Sequence, residues 1–268
     1  MPAAADMTAE YALPHRIFRG LRADLHIHSV LSPCAEREMT PGNIVSMAML
    51  LELDLIAVTD HQSCGNCAAV MAISEAMSGP LVIPGMEVES AEEIHLLCLF
   101  PDLESVCACE AEIRASMPFL PNRVDIFGEQ WVMDENDEKV SEESRMLLLP
   151  SSFTCDQIAA LAISLGGVCI PAHLDREANS MLVSLGTVPP DFPTGVIELS
   201  QRAEPVSFFR KHPELCKYQY LVNSDAHSLE TMAAHALKDT AADICQRSPK
   251  PEKPTVQQVI QALQVIKP

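Results

Sequence analysis

Histidine is the residue type in this sequence whose placement is best suited to chemistry. Six of the nine histidines follow strand-like apolar runs or, for His95, begin one: His26, His28, His61, His95, His173 and His227. Acidic residues occupy similar positions: Asp24, Asp60, Glu87, Glu89 and Asp225. Imidazole and carboxylate groups are common ligands of divalent transition metals. The pattern therefore predicts a metal centre assembled from several segments of the chain.

The segment His26-Ile27-His28 has the spacing of two ligands on one metal. Side chains two residues apart on a strand point to the same face and are separated by about 6.6 Å of rise. An isolated pair of this kind is equally well explained by two half-buried polar residues. Its combination with Asp225 and His227 near the other end of the chain favours the metal interpretation.

The elements that must position these residues alternate along the chain. We predict strands at 23–27, 55–58, 81–84, 94–100, 168–171, 196–199 and 220–222. We predict helices at 41–53, 66–77, 103–116, 155–165, 205–211 and 255–266. This alternation is typical of parallel βα units. It indicates an α/β fold in which about seven strands close a barrel, with the histidines at the rim where barrel enzymes build their active sites.

Residues 118–150 interrupt this pattern. The stretch has proline at both ends and an acidic turn, Asp134 to Glu138, between two short strand-like runs, so we expect an inserted hairpin or lid. The turn lacks the glycine and the distal glutamate of an EF-hand loop, which favours a solvated turn over a calcium site. We expect residues 20–268 to form one domain, residues 1–19 an N-terminal extension and residues 238–254 a linker before the last helix.

Composition limits the partners of the chain. The formal net charge is −19 and no stripe of Lys and Arg is visible, which argues against long nucleic acids. Bound cations would add local positive charge, so a small anionic substrate remains compatible with this composition. The sequence has no membrane-length apolar run and no signal peptide, and its ten cysteines are irregularly spaced. We therefore expect a cytoplasmic protein with reduced, mostly buried thiols and no membrane partner.

Five motifs together carry a family resemblance. DLHIHS, AVTDH, PGMEVES with EIHLLCLF, IPAHLDR and NSDAH follow one another between Asp24 and His227. In this order they resemble the polymerase and histidinol phosphatase (PHP) family of phosphoesterases. The resemblance implies a distorted (β/α)7 barrel with a trinuclear metal centre. It also implies three sets of ligands: His26, His28, Glu87 and Asp225 for the first metal; Glu87, His95 and His173 for the second; His61 and His227 for the third.

The third site departs from the family pattern. Its remaining ligand is usually a His or Asp in the loop after the first motif, where this chain has SVLSPCAERE. Cys34 and Glu36 are the two candidates, and an unligated Cys34 beside a partly filled site is an equal alternative. A thiolate would favour zinc or another soft metal over magnesium. We expect two or three divalent ions, of zinc, iron or manganese, and we interpret the nearby Cys64 and Cys67 as inert thiols.

The chemistry implied by the resemblance is hydrolysis of a phosphate ester by a hydroxide that bridges two metals. Glu87 would bridge the metals, and Arg176 stands where the resemblance places a phosphate-binding arginine. A surface ion pair of Arg176 with Asp175 or Glu177 is the alternative. Asp60 or Asp175 would either protonate the leaving group or orient a ligand histidine.

The expected substrate is a small phosphomonoester, a nucleotide or a short oligonucleotide end. Two other functions stay open. One is histidinol-phosphate phosphatase, although nothing in the sequence indicates an imidazole pocket. The other is a metal-stabilised regulatory or binding domain without turnover, which the nearly complete ligand set argues against. Sequence leaves the oligomeric state undetermined.

Overall fold

The structure, a computed structural model, describes residues 20–243 and 253–264, with the backbone alone for 237–243. The strands are β1 Ala23–Ile27, β2 Leu55–Val58, β3 Leu81–Val82, β4 Gly85–Glu89, β5 His95–Leu99, β6 Trp131–Met133, β7 Lys139–Glu142, β8 Val168–Pro171, β9 Val196–Ser200 and β10 Gln219–Asn223. The α-helices are α1 Pro41–Leu50, α2 Cys67–Ala76, α3 Leu103–Ser116, α4 Val124–Phe127, α5 Cys155–Ser164, α6 Met181–Leu185, α7 Pro205–Lys211, α8 Leu229–Asp243 and α9 Val256–Gln264. A short 3-10 helix spans Pro213–Lys217.

The strands form an α/β core of mixed direction. Strands β1, β2 and β3 pair in parallel, as do β9 and β10, whereas β5 is antiparallel to both β4 and β8. Strand β8 lies beside β9, and β1 lies beside β10. Single bridges join Ile27 to Ala226 and His61 to Glu87.

The expectation of seven strands closing a barrel is not met by these ladders. Within the described part of the chain, hydrogen-bonded pairing is continuous only inside separate sheets. Strand β5 is antiparallel to both neighbours, so the strands do not form one uniform parallel ladder, and pairing breaks between β3 and β4, between β8 and β9 and between β10 and β1. The α/β class and the positions of all seven predicted strands are confirmed, with small shifts at their ends.

The structure contains elements that the sequence analysis did not predict. They are strand β4, helices α4, α6 and α8, and the 3-10 helix. Helix α8 continues to Asp243, so the expected linker at 238–254 is wrong for residues 238–243, while 244–252 lie outside the described residues. The expected hairpin within 118–150 is present as β6 and β7, which pair antiparallel.

The turn of that hairpin is bound to the start of helix α1. Asp137 Oδ1 accepts a hydrogen bond from Gly42 N at 2.8 Å, and Oδ2 accepts one from Thr40 Oγ1 at 2.7 Å. Thr40 is the N-cap of α1, with Pro41 at the first helical position. A Cβ on residue 42 would lie 2.8 Å from Asp137 Oδ2, so glycine is needed for this approach. Both oxygens of the Asp137 carboxylate therefore accept hydrogen bonds from the protein. This agrees with the expected turn rather than with a calcium loop.

Apolar packing holds the strand ends in place. Strands β1, β2 and β8 are buried along their whole length, with Leu25, Leu55 and Ile170 in one cluster between the sheets and α9. Helix α5 begins with a capping box, in which Thr154 and Gln157 satisfy each other's backbone amides. Within the described residues, no helix combines the length and the apolar character needed to cross a bilayer.

Candidate metal centre

A single buried carboxylate, that of Glu87, lies at the centre of the histidine cluster. Its side chain is 1% exposed, and its two oxygens face the ring nitrogens of five histidines. The distances are 2.9 Å for His61 and His95, 3.3 Å for His26 and His173, and 3.4 Å for His28. Burial raises the pKa of Glu87, but the surrounding histidines outweigh it, and the pKa lies well below the usual value. The carboxylate is therefore ionised in the folded protein.

The remaining expected ligands complete the same cluster. His28, His61 and His227 have ligand atoms within 4.8 Å of one another. Asp225 Oδ1 lies 3.1 Å from His28 Nε2 and 3.5 Å from His26 Nε2. All eight His, Glu and Asp residues that the resemblance assigned to metals are thus brought together. They form overlapping groups that share Glu87 and His28.

The fold explains why ligands so far apart in sequence converge. His26, His61 and His173 lie at or just after the carboxyl ends of β1, β2 and β8. His95 lies at the amino end of β5, and because β5 is antiparallel it is paired directly with Glu89 at the same rim. His173 and Asp225 have positive φ angles of 30° and 48°, which are uncommon for residues with a side chain. This backbone strain turns both side chains toward Glu87.

Glu198, on β9, is a functional residue that the sequence analysis missed. It is 1% exposed and lies 3.0 Å from His26 Nδ1, while it accepts hydrogen bonds from Asn223 Nδ2 at 2.6 Å and His173 N at 2.8 Å. Burial raises its pKa, but His26 lowers it further, and the net pKa is below the usual value. An ionised Glu198 holds the proton of His26 on Nδ1 and leaves Nε2 free to bind a cation. The available signal was a charged residue within an otherwise apolar strand.

His28 is oriented in a similar way, through a serine. His28 Nδ1 lies 3.0 Å from Ser32 Oγ, which donates to Asp60 Oδ1 at 2.7 Å. Asp60 also accepts from Ser29 N at 2.7 Å and from Ser29 Oγ at 2.6 Å. Both oxygens of Asp60 are therefore occupied, which favours the orienting role over that of a leaving-group acid.

Cys34 lies against the two histidines of the third expected site. Burial raises the pKa of its thiol, but hydrogen bonds to His227 and His61 lower it to about 7. Glu36 approaches through its backbone, with its N–H donating to His227 O at 2.8 Å. Within the described residues, the Glu36 carboxylate has no hydrogen bond or ion pair with either histidine. Of the two candidates, Cys34 is the one whose side chain contacts both histidines, although no group of close ligand atoms among the described residues includes its sulfur.

Arg176 pairs with a ligand residue rather than with its neighbours in sequence. Its Nη1 lies 2.6 Å from Asp225 Oδ2, and the side chain is 43% exposed. The Asp175 carboxylate instead accepts hydrogen bonds from Ser200 N and Ser200 Oγ, both at 2.6 Å. The alternative ion pairs with Asp175 and Glu177 are thus absent from the described residues, and the arginine lies at the edge of the cluster.

The donor set fits divalent cations. Buried Glu87 Oε2 and Asp225 Oδ1 lie close to imidazole nitrogens but accept no hydrogen bond of acceptable geometry within the described structure. Buried polar atoms are seldom left unsatisfied, and unpaired buried charge is costly. Ring nitrogens also face one another, with His26 Nε2 at 3.2 Å from His28 Nε2. Lone pairs that converge in this way are satisfied by cations placed between them.

Cys64 and Cys67 belong to the apolar core beside the centre. Cys64 Sγ donates to Glu110 Oε2 at 3.1 Å and lies 3.8 Å from Cys107 Sγ, whereas Cys67 Sγ donates to Gly85 O at 3.3 Å. Burial raises the pKa of both thiols, that of Cys67 to about 12. Within the described residues the two do not share a metal-binding group. This agrees with their interpretation as inert thiols.

Comparisons with known proteins identify the fold. No family model matches the chain, and no curated protein does. Among solved structures, a protein from Bifidobacterium adolescentis named as a metal-dependent phosphoesterase aligns with a TM-score of 0.55 and 17% identity, over 90% of this chain and 95% of that one. A lesion-specific endonuclease from Pyrococcus furiosus aligns with a TM-score of 0.51 and 22% identity, over 78% of this chain and 49% of that one.

A third structure, an amidohydrolase from Chromobacterium violaceum with bound sulfate, aligns with a TM-score of 0.50 and 18% identity, over 77% of this chain and 88% of that one. The chain spans about half the length of the endonuclease. At these identities the likenesses concern the fold alone, which this chain shares with proteins named as a metal-dependent phosphoesterase, an endonuclease and an amidohydrolase.

Proposed function

We propose that this chain is a metal-dependent phosphoesterase of the PHP family. The observation that carries the proposal is Glu87, a buried carboxylate whose oxygens lie within 3.4 Å of five imidazoles. The printed names of the fold neighbours, a phosphoesterase, an endonuclease and an amidohydrolase, support hydrolysis as the reaction type. The order of the strands around the core supports a distorted (β/α)7 barrel whose ladders are interrupted between β3 and β4, between β8 and β9 and between β10 and β1.

The ligand assignment follows the groups that the fold brings together. His26, His28 and Asp225 would hold one ion together with Glu87, and His95 and His173 would hold a second ion, also with Glu87. His61 and His227 would hold a third ion, with the Cys34 thiolate as the remaining ligand. Two or three ions of zinc, iron or manganese suit this donor set, because thiolate and imidazole are borderline to soft ligands.

The chain's own residues perform the remaining tasks of the mechanism. When bound, the metals would supply an activated water and neutralise charge on the phosphoryl group. Glu198 holds His26 in one tautomer, and Asp60 acts on His28 through Ser32. Arg176 would turn its guanidinium from Asp225 toward the phosphoryl oxygens, because a cation bound to Asp225 takes over the neutralisation of that carboxylate.

A panel of phosphate esters tests this proposal. The purified protein, reconstituted separately with zinc, iron and manganese, is assayed with p-nitrophenyl phosphate, L-histidinol phosphate, a mononucleotide and a short oligonucleotide. We expect hydrolysis of small esters that is lost with a chelator and restored by added metal. Stoichiometric metal binding without hydrolysis of any ester would contradict the proposal and favour a non-catalytic metal-stabilised domain.

A further inference from the structure

Two thiols from distant parts of the sequence meet beside the candidate metal centre. Cys64 Sγ lies 3.8 Å from Cys107 Sγ, although the two residues are 43 positions apart. Cys64 follows the ligand His61 in the segment that leads to α2, whereas Cys107 lies on α3. A disulfide bond is about 2.05 Å long, so the two sulfurs are within about 2 Å of bonding distance. A change in the side-chain torsion of Cys107 can close a gap of this size.

The two thiols differ in their exposure to solvent. Cys107 is exposed, so its sulfur is the first to meet a small oxidant. Cys64 is 5% exposed, and burial raises the pKa of its thiol, which keeps this residue inert toward solvent on its own. An accessible thiol beside a second cysteine is the arrangement of redox-sensor pairs, in which the second cysteine completes a disulfide.

Glu110 supplies an acceptor for the proton of the buried thiol. Its Oε2 accepts a hydrogen bond from Cys64 Sγ at 3.1 Å, and its Oε1 accepts one from Ser63 Oγ at 2.6 Å. A cysteine attacks as the thiolate, so the proton must leave as the sulfur reacts. A carboxylate that already accepts the S–H hydrogen bond is placed to take this proton.

Another pair of cysteines in the core lacks this accessibility. Cys98 and Cys169 lie opposite each other on the antiparallel strands β5 and β8. They are 0% and 2% exposed, so an oxidant in the solvent does not reach them. Of these two pairs, it is Cys64 and Cys107 that combine a short distance between the sulfurs with an exposed residue.

We propose that Cys64 and Cys107 form a reversible disulfide when the protein meets a hydroperoxide, and that this bond fastens the segment after His61 to α3. With hydrogen peroxide, the Cys107 sulfur attacks the O–O bond and becomes a sulfenic acid, and one water leaves. The Cys64 sulfur then attacks the sulfenic sulfur, its proton passes to Glu110, and the sulfenic hydroxyl leaves as a second water. Two thiols are thereby oxidised by two electrons, and one peroxide is reduced to two waters.

This modification requires no phosphate ester and is independent of the proposed function. A dithiol reverses it by thiol–disulfide exchange. Its consequence for the metal centre is mechanical, because the bond joins α3 to the backbone that carries His61. The hydrogen bond from Cys64 to Glu110 is then replaced by a covalent link.

Peptide mapping tests the formation of the bond. The reduced protein is reconstituted with zinc, which has no redox chemistry of its own, and is treated with equimolar hydrogen peroxide. Free thiols are then blocked, and the digest is analysed by mass spectrometry without reduction. We expect a linked peptide pair containing Cys64 and Cys107 as the main disulfide, and its loss on treatment with dithiothreitol. A main disulfide between other cysteines, or a Cys107 sulfinic acid without a disulfide, would overturn the proposal.

Variants assign the two steps to their residues. Cys107→Ser should abolish the linked pair. Cys216→Ser is the matched control and should retain it, because the Cys216 sulfur contacts Phe209 O rather than another thiol. Glu110→Gln should slow disulfide formation at least about tenfold, as for a lost proton acceptor, while Glu112→Gln should not. Equal rates in the two glutamine variants would remove Glu110 from the proposed reaction.

Amide hydrogen exchange tests the restraint on the His61 segment. Exchange is measured by mass spectrometry on oxidised and reduced protein, with the disulfide reduced after the acid quench so that both yield the same peptides. We expect slower exchange at residues 61–67 in the oxidised wild type, because the bond opposes local opening, and no difference in Cys107→Ser. A disulfide that leaves this exchange unchanged would contradict the proposed link to the metal centre.

Discussion

At the scale of single residues, three imidazoles of the metal centre each have a hydrogen-bond partner on Nδ1. Glu198 contacts His26 Nδ1, Ser32 contacts His28 Nδ1, and the backbone oxygen of Asp225 lies 3.0 Å from His227 Nδ1. In each ring one nitrogen is thereby fixed as the donor, so that the lone pair of the other is directed at the cluster. Loss of such a contact typically lowers metal affinity by about 10- to 100-fold.

Replacement of Glu198 measures this effect. Glu198→Gln retains the size of the side chain but removes the charge that favours a proton on His26 Nδ1. We expect metal affinity to fall by roughly tenfold or more, as is usual for the loss of such a partner. Competition with a chelator of known affinity measures the change. Glu112→Gln, an exposed position on α3, is the control; an equal affinity of the two variants would contradict the orienting role of Glu198.

Cys34 distinguishes the third site from the other two. If its thiolate is a ligand, Cys34→Ser should lose one ion and retain the others, because His61 and His227 alone hold a metal weakly. Cys34→Asp should partly restore that ion and shift the preference toward harder metals such as manganese. Elemental analysis of the three proteins after identical reconstitution gives the result. An unchanged metal content in Cys34→Ser would show that Cys34 is not a ligand.

Sequence patterns could predict the candidate ligands and one orienting residue, Asp60, but not Glu198 or Ser32. His26, His28 and His227 belong to short motifs whose spacing alone is informative. Glu198 and Ser32 have no such spacing, since each acts on a histidine that only the tertiary fold brings close. Cys34 is an intermediate case: its position in the loop indicated a ligand, but its contact with His61 and His227 required the structure.

At the scale of elements, strand β4 shows where local patterns fail. Its sequence, Gly85-Met86-Glu87-Val88-Glu89, contains glycine and two glutamates, which have low strand propensity. The strand forms because Met86 and Val88 are buried on one face while Glu87 points into the histidine cluster. The antiparallel turn from β4 to β5 then explains why His95 lies early in its strand and still reaches the centre.

The contact between the hairpin turn and helix α1 gives a prediction at this scale. Asp137→Ala removes two hydrogen bonds, to Gly42 N and Thr40 Oγ1, and a negative charge at the start of a helix. We expect the free energy of unfolding to fall by about 1–2 kcal/mol. Urea denaturation measures it, with Glu135→Ala in the same turn as the control. Equal stability of the two variants would show that the hairpin turn does not stabilise α1.

At the scale of the whole molecule, charge and topology were predictable to different degrees. The net charge of −19 follows from composition alone. The run of seven strands could also be predicted, because buried strands such as Leu55–Val58 are short apolar runs between helical patterns. Closure of the ladder could not be predicted, because it depends on whether edges such as those of β8 and β9 pair, and no local sequence pattern determines that pairing.

The overall charge predicts a small substrate. A chain with a net charge of −19 repels a polyanion. We therefore expect efficient hydrolysis of small phosphate esters and no retention of duplex DNA at physiological salt. Turnover of a mononucleotide and of a long oligonucleotide, compared at equal phosphate concentration, measures the preference. Processive degradation of the oligonucleotide would contradict this prediction.

The central claim is that the residues around Glu87 form a multinuclear metal centre, and metal content per chain tests it most directly. Elemental analysis of the reconstituted wild type should give about two or three transition-metal ions per chain, as expected for a clustered catalytic site. Glu87→Gln should lose more than one ion, because this carboxylate contacts histidines of every group in the cluster. A wild type without metal after reconstitution, or a Glu87→Gln variant with full metal content, would contradict the account.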